Sequence, residues 1–317
     1  MSQSITALRT AFQAGELAKR DYIQEMYAHH AGLFDYQRNL GGPGIRELQV
    51  SADGVWMRFR YPDIRMWCVE GDARMAPLEA FNFGGFEPEA FETVAAIVGQ
   101  EFAENGTTLL DIGANAGFYT LGLHSRFPTL PILAFEPVPA TFSVLTRNLA
   151  LNGFTDIQTF QLGFSDRTQE LEFFTYPQHS GASSSVRLLD DVETTRVTCQ
   201  LLRVDEFRRS HSRPFRTGFI KCDVEGAELS VLRGAEQLLR EDRPVVFAEM
   251  LRKWCARFDY HPNDIIRFML GLGYGCFSVG QGGLASCPAV TEATVETNFL
   301  FLDATRHARY IPARSRG

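Results

Sequence analysis

An apolar run that ends in an acid and then alternates glycine, asparagine and glycine leaves a chain few ways to fold. TLLDIGANAGFYTL, from Thr108 to Leu121, is such a run. Thr108–Ile112 reads as a buried strand and Phe118–Arg126 as the helix after it. Gly113 permits backbone angles closed to other residues, and Gly117 lets the following helix approach closely. Asp111, at the strand end, either braces the turn or reaches a ligand. A second acid, Glu136, closes the next apolar run, Pro131–Phe135, 25 residues after Asp111. Strand, glycine turn, helix and strand-end acid form the βαβ arrangement that holds nucleosides, with the acid on the ribose hydroxyls.

The turn also discriminates between nucleosides. Dinucleotides are held by G-x-G-x-x-G, whose second glycine lets the backbone close around the phosphates. Here Asn115 stands at that second position and an acid heads the turn. S-adenosylmethionine carries no phosphate and ends in an amino acid, so an acid near the turn suits its ammonium group and the helix N-terminus suits its carboxylate. The plainer account has Gly and Asn simply closing a strand-to-helix turn and Glu136 merely solvated at its strand end, but it does not explain why that acid falls one βαβ unit after the turn. On the binding account, Gly113→Val abolishes binding with little loss of fold, because the branched side chain intrudes on the ligand.

Alternation continues on both sides of this unit. Pro88 suits the first turn of a helix with Phe91, Val94, Ala95 and Val98 on its apolar face. Thr141–Ala150 reads as a helix ending near Gly153, and Ile157–Leu162 as a third strand. The pattern then breaks: QELEFFTYPQHSGASSSVRLL and TTRVTCQLLRV predict strand, polar loop and strand. It resumes with strand Gly218–Cys222, helix Leu229–Leu239, strand Val245–Ala248 and helix Pro262–Leu272, and closes on YGCFSV and NFLFL. A wound, mostly parallel α/β sheet with one antiparallel strand near the C-terminus is expected, an ending that plain dinucleotide dehydrogenase domains do not usually share.

Ahead of this core, residues 4–38 read as helix, with Ile5, Leu8 and Phe12 at helical spacing, until GGPG at Gly41–Gly44. GVWMRFRYPDIRMWCVEG then reads as a hairpin, Val55–Tyr61 and Ile64–Val69 around Pro62 and Asp63, half-solvated on its Arg and Trp face. The expected division is a helical and β-hairpin extension, residues 1–85, and an α/β domain, residues 86–317.

A chain of 317 residues, 45% hydrophobic and 22% charged, can bury one substantial core. Its net charge of -7 at pH 7 argues against a general nucleic-acid binder, which needs a basic surface. Met1–Arg9 holds no apolar signal region and no run of about 18 apolar residues occurs, so neither a leader nor a membrane span is expected and the default location is the cytoplasm. Cys68, Cys199, Cys222, Cys255, Cys276 and Cys287 form no CxxC pair, and read as inert thiols rather than zinc ligands or disulfides. The N-terminal helix could pair with a copy of itself, which leaves a homo-oligomer open.

DIGANAGFYT, FEPVPATFSVLTRNLALNG and IKCDVEGAELSVLRGAEQLL together resemble the FkbM family of class I S-adenosylmethionine-dependent methyltransferases, IKCDVEGAE most specifically, over roughly Glu87 to Leu302. The resemblance implies a Rossmann-like class I methyltransferase fold and O-methylation of a saccharide or natural product. It further implies that Asp111, Gly113, Asn115 and Gly117 surround the methionine end of the cofactor, that Glu136 takes the ribose and that Asp166, in LGFSDR, meets the adenine edge. Phe118 would pack on the cofactor, whereas Phe135 is better read as core. Asn148 and Asn152, four apart on one helix, read as caps near Gly153. Residues 1–80 show no such resemblance.

Methyl transfer to oxygen needs an electrophile held in line, an acceptor hydroxyl against it and a destination for the proton. In an open α/β sheet the ligand crevice lies beyond the carboxyl ends of the strands. Asp223 and Glu225 end the fourth strand, Glu249 ends the fifth, and His179 lies in the polar loop, which is placed to act as a lid. Each also has a plainer reading: Glu225 can cap the helix after Gly226, Lys221 can be a strand-end ion-pair partner, and His179 can be an exposed loop histidine. Trp254, Phe258 and Tyr260 suit an acceptor wall or the core equally. Asp223 leads as the residue that positions or deprotonates the acceptor. Mg2+ between Asp223 and Glu249 is the alternative, and the metal-free site is preferred.

The functional expectation is thus an O-methyltransferase acting on a hydroxyl of a small molecule or saccharide. Carboxyl O-methylation, nicotinamide-dependent oxidoreduction and a non-catalytic nucleoside-binding module are the competing classes, and these motifs do not encode the acceptor.

Overall fold

TLLDI is buried along its whole length, as a strand covered on both faces must be. The computed structural model describes residues 3–312 of the chain. In chain order the strands among these residues are β1 (Ile45–Ser51), β2 (Gly54–Phe59), β3 (Arg65–Cys68), β4 (Thr108–Ile112), β5 (Ile132–Phe135), β6 (Gln158–Phe160) and β7 (Gly163–Phe164). They continue as β8 (Gln169–Thr175), β9 (Thr195–Leu202), β10 (Thr217–Cys222), β11 (Val245–Glu249), β12 (Tyr274–Gly280), β13 (Gly283–Ser286) and β14 (Asn298–Asp303).

Eight strands form one sheet in the order β13-β12-β14-β11-β10-β4-β5-β6. β6, β5, β4, β10 and β11 pair in parallel, and β14 is inserted antiparallel between β11 and β12. This is the wound, mostly parallel α/β sheet expected from the sequence. The turn back from β12 adds β13, a second antiparallel strand at the sheet edge. Strand order reverses between β4 and β10, which opens a crevice beyond their carboxyl ends.

Successive residues alternate between two buried layers. Leu109, Phe219 and Phe247 face the helices Pro88–Asn105, Phe118–Arg126 and Pro139–Asn152. Leu110, Ile220 and Val246 face the helices Val204–Ser210, Glu228–Gly234, Glu236–Asp242 and Pro262–Gly271. Each fully buried Leu, Val or Phe contributes about 1.5–3 kcal/mol, so the two layers supply the main drive for the sheet.

The extension joins the first layer. β1, β2 and β3 form a three-stranded sheet, one strand more than the expected hairpin, and Ile45, Met57, Phe59, Ile64 and Met66 share a buried cluster with Phe91 and Leu121. Asn148 and Asn152 fix its edge: Asn148 Oδ1 accepts the Trp67 N–H at 2.8 Å, and Asn152 accepts the Arg65 N–H at 2.8 Å and donates to the Arg65 carbonyl at 2.7 Å. Their expected capping near Gly153 gives way to this bridging role.

Three other elements depart from expectation. Residues 4–38 form two helices, Ile5–Gln13 and Lys19–Asn39, because Gly15 leaves the helix at φ 75°. Leu229–Leu239 divides at Ala235 into two short helices. The expected third strand, Ile157–Leu162, shortens to β6 at the edge of the large sheet, and the residues after it add β7, which joins a separate sheet in the order β7-β9-β8. β8 and β9 bracket the polar loop, residues 176–194. All six cysteines are free, and among the described residues no helix is long and apolar enough to cross a membrane.

Candidate active site

From β4 the chain turns into the helix Phe118–Arg126 through Gly113 at φ 77°, Asn115 at 49° and Gly117 at 94°. The turn passes so close to β10 that a Cβ on Gly113 would stand 1.8 Å from the Asp223 carbonyl oxygen. A Cβ on Gly117 would stand 2.5 Å from Leu145 Cδ1. Backbone packing therefore demands glycine at 113 and the φ of 94° favours it at 117, and the expected clean loss of binding in Gly113→Val is replaced by a collision with the backbone just beyond β10. Gly113 and Ala114 donate to the Phe135 carbonyl at 3.0 and 2.9 Å, and Asn115 to Glu136 Oε2 at 3.1 Å. Ala116 donates to Asn115 Oδ1 at 2.5 Å and Gly117 to the Ala114 carbonyl at 2.8 Å. Five successive amides are thereby engaged inside the turn, so none of the five is free to cradle a pyrophosphate.

Glu136, buried at the end of β5, accepts the Val138 N–H on its other oxygen at 2.9 Å. Burial pushes its carboxyl up to about 7, against the pull of the Val138 and Asn115 amides. An ionised carboxylate offers roughly four acceptor positions, so two amides leave room for two ligand hydroxyls.

Lys221, buried in β10, donates to the Gly113 carbonyl at 3.0 Å and to Asp223 Oδ2 at 3.1 Å, and lies 3.8 Å from Asp111 Oδ1. Burial alone would depress its ammonium group, but Asp223, Asp111 and Glu87 together hold it above its ordinary value. Asp111 accepts the Thr120 hydroxyl at 2.6 Å, and burial raises its carboxyl against the opposing pull of Lys221. Asp223, Glu225 and Glu249 each place a carboxylate oxygen within 4.8 Å of the other two. Burial, reinforced by the charge of Asp223, pushes Glu225 and Glu249 well above the ordinary carboxyl range.

Two cavities open over this ground. One, of about 380 Å³, is lined by Gly113, Asn115, Glu136, Asp166 and residues 183–186 of the polar loop. The other, of about 740 Å³, is lined by Phe118, His179, Lys221, Glu249 and Trp254, and by Ala76, Glu79 and Phe83 of the extension. Asn115, Ser180, Gly181, Asp223 and Glu225 line both, so they form the shared wall.

Most of the expected residues thus converge: Gly113, Asn115, Glu136 and Asp166 on the smaller cavity, Asp223 and Glu225 at the wall, His179 and Glu249 on the larger. Three expected cofactor residues do not. Asp111 is fully buried on Thr120 and Lys221, Gly117 packs on Leu145, and Phe118 faces the larger cavity. Phe135 is core, as expected. Glu225 does not cap the next helix, because Glu228 Oε1 accepts the Val224 and Gly226 amides at 3.1 Å each. Trp254 lines the larger cavity and Phe258 the smaller, while Tyr260 donates to the Gly226 carbonyl at 2.6 Å.

Glu87 and the extension wall were not foreseen. Glu87, at φ 45°, accepts the Tyr119 hydroxyl at 2.7 Å in the larger cavity, and burial raises its carboxyl. In sequence, an acid before Pro88 looks like an ordinary helix start. An αL acid beside a tyrosine from another element carries no local signal.

The family model "Methyltransferase FkbM domain" matches residues 111–276, more than half of the chain. Methyltransferase 1 of Beauveria bassiana is 33% identical over 144 residues, 40% of this chain and 58% of that protein. Methyltransferase sdnD of Sordaria araneosa is 31% identical over 156 residues, 41% of this chain and 60% of that protein. The chain thus spans less than two thirds of the length of these curated relatives. The solved structure of methyltransferase FkbM from Methylobacillus flagellatus shares 18% identity and a TM-score of 0.39, covering 62% of this chain and 43% of that one.

Proposed function

The chain belongs to the FkbM methyltransferase family, and on that premise we propose that it binds S-adenosylmethionine in the smaller cavity and methylates a hydroxyl of a saccharide or natural-product acceptor in the larger. The observation that carries this reading is the shared wall of Asn115, Ser180, Gly181, Asp223 and Glu225, where a donor in one cavity and an acceptor in the other can meet. When bound, S-adenosylmethionine supplies an electrophilic methyl group on a cationic sulfur.

The chain's own residues fit such a ligand. Glu136 has acceptor positions left for ribose hydroxyls, and Asp166 lies along the same cavity for the adenine edge. The engaged amides of the turn disfavour a nicotinamide dinucleotide, whose phosphates need free donors.

At the wall, Asp223 is the residue we assign to orient the acceptor hydroxyl and take its proton. Lys221 holds its Oδ2, and its Oδ1 is buried with no hydrogen-bond partner among the described residues. Burial shifts Glu225 and Glu249 toward their protonated forms, which can donate to acceptor oxygens. The same three acids match a divalent cation by donor type. The metal-free reading is kept because Lys221 already neutralises Asp223.

Charge also favours a hydroxyl over a carboxyl acceptor. Glu79, Glu87, Asp223, Glu225 and Glu249 line the larger cavity against Arg74, Lys221 and Lys253. Arg74 pairs with Glu79, Lys221 pairs with Asp223, and Lys253 lies 4.1 Å over the Trp254 ring. A carboxylate would enter beside Glu87, Glu225 and Glu249, where burial already disfavours negative charge, while Arg74 and Lys221 are each paired with an acid.

Residues 1–85 complete this reading as an extension that gives the domain at 86–317 one wall of its acceptor cavity. Exposed Ile23, Tyr27 and Phe34 support self-association through its long helix, and a cytoplasmic location belongs to the same reading. Incubating the protein with S-adenosylmethionine and an extract of its source organism, then seeking a methylated product by mass spectrometry, tests the activity. A product methylated on a carboxyl would displace the hydroxyl assignment.

A further inference from the structure

Asp72, between β3 and the helix Ala76–Phe83, has no part in the chemistry above, yet it is 2% exposed. Its Oδ1 accepts the Arg74 N–H at 3.0 Å. Its Oδ2 accepts the Ser180 N–H at 3.3 Å and also the Ser180 hydroxyl. Beside it, the Ala73 N–H donates to the Gln178 carbonyl at 3.3 Å. No salt bridge reaches Asp72 among the described residues. A carboxylate withdrawn from water without a cation depends on its hydrogen bonds, so the loss of either partner is felt strongly.

Those bonds join two walls. Ser180 belongs to the loop and lines both cavities, whereas Arg74, Met75 and Ala76 start the extension wall of the larger one. Tyr176 and Leu188 are buried and anchor the rest of the loop, but none of Ser180, Gly181 and Ala182 between them is buried, and fixing each backbone costs about 1–2 kcal/mol. Its next anchor is Ser184, whose backbone bridges Phe174 and whose hydroxyl donates to the Glu225 carbonyl at 3.3 Å.

We propose that Asp72 is a positioning residue that acts through Ser180, holding the loop over the shared wall so that extension and loop close on the cofactor as one unit. This rests on the reading of the smaller cavity as the S-adenosylmethionine site. Without Asp72 the segment 178–184 opens, and cofactor escapes past Ser180 and Gly181.

A double-mutant cycle tests it, with S-adenosylhomocysteine as the probe and amide hydrogen exchange as a second readout. Asp72→Ala should weaken binding about tenfold or more, and Ser180→Ala, which keeps the backbone donor, by less. The double variant should bind no more weakly than Asp72→Ala alone. In ligand-free protein, Asp72→Ala should speed exchange at residues 178–184 about tenfold while the strands of the large sheet keep their protection. Ser180→Ala should show a smaller effect in the same residues. Wild-type protein that binds the probe while both variants bind it equally well overturns the proposal, as do two losses that simply multiply. Unchanged loop exchange in both variants overturns it whatever the probe does. Failure of wild-type protein to bind the probe is a different result, which counts against the cofactor reading.

Discussion

Glu136 Oε2 accepts the Asn115 backbone N–H at 3.1 Å, tying the end of β5 to the glycine turn beyond β4. The same buried carboxyl is pushed up from 4.5 to about 7. Since its folded value is raised, ionising it opposes folding: this cost is absent below 4.5, grows as pH rises and is complete above about 7. A ligand that hydrogen-bonds the ionised form relieves it. S-adenosylhomocysteine affinity should therefore rise with pH through the weakly acidic range and level off above about 7. Glu136→Ala should flatten that profile and weaken binding by about 1.5–3 kcal/mol. A flat profile in wild-type protein, measured by titration calorimetry, would take Glu136 off the ribose.

Gly113→Ala is expected to damage the fold before it damages the site. The added methyl meets the Asp223 carbonyl at 1.8 Å, and φ 77° suits glycine alone. Strain and overpacking together should cost about 2–5 kcal/mol, seen as a lower midpoint in chemical denaturation. A variant as stable as wild type would show that the turn and β10 are not so closely packed.

Lys221→Met leaves Asp111 and Asp223 facing each other without their cation. Breaking a buried ion pair by removing one partner destabilises by about 3–5 kcal/mol. Denaturant titration near neutral pH should show a loss of that size, and a much smaller one would mean that water already screens the pair.

The large sheet was legible because β4, β10 and β11 are short, mostly apolar runs, and such runs fit few environments other than a strand covered on both faces. Glu136, Asp223 and Glu249 were legible as site candidates because parallel strands bring their carboxyl ends to one crevice. What escaped depends on contacts between distant segments. Asp111 could brace the turn or reach a ligand until Lys221 and Thr120 enclosed it, and of the two readings of Glu225 the cap gave way once Glu228 took the Val224 and Gly226 amides. β1, with one buried residue in IRELQVS, has too little apolar periodicity to announce a strand. The bond from Asp72 to Ser180 spans 108 positions and leaves no local trace.

Asp223→Asn should lower turnover by about 10²–10⁴-fold, the usual contribution of a positioned base, while leaving S-adenosylhomocysteine binding within about twofold. Excess EDTA should leave wild-type turnover unchanged. Reversible loss on chelation, restored by Mg2+ with cofactor binding intact, would instead make Asp223, Glu225 and Glu249 a metal site.

The central claim is that the cavity joining Gly113, Asn115 and Glu136 holds S-adenosylmethionine. Calorimetric titration of the protein with S-adenosylhomocysteine and, separately, with NAD measures this directly. The structure predicts saturable binding of one S-adenosylhomocysteine per chain, weakened in Glu136→Ala, and no binding of NAD, since the amides from Gly113 to Gly117 are already engaged. Saturable binding of NAD with none of S-adenosylhomocysteine would contradict it.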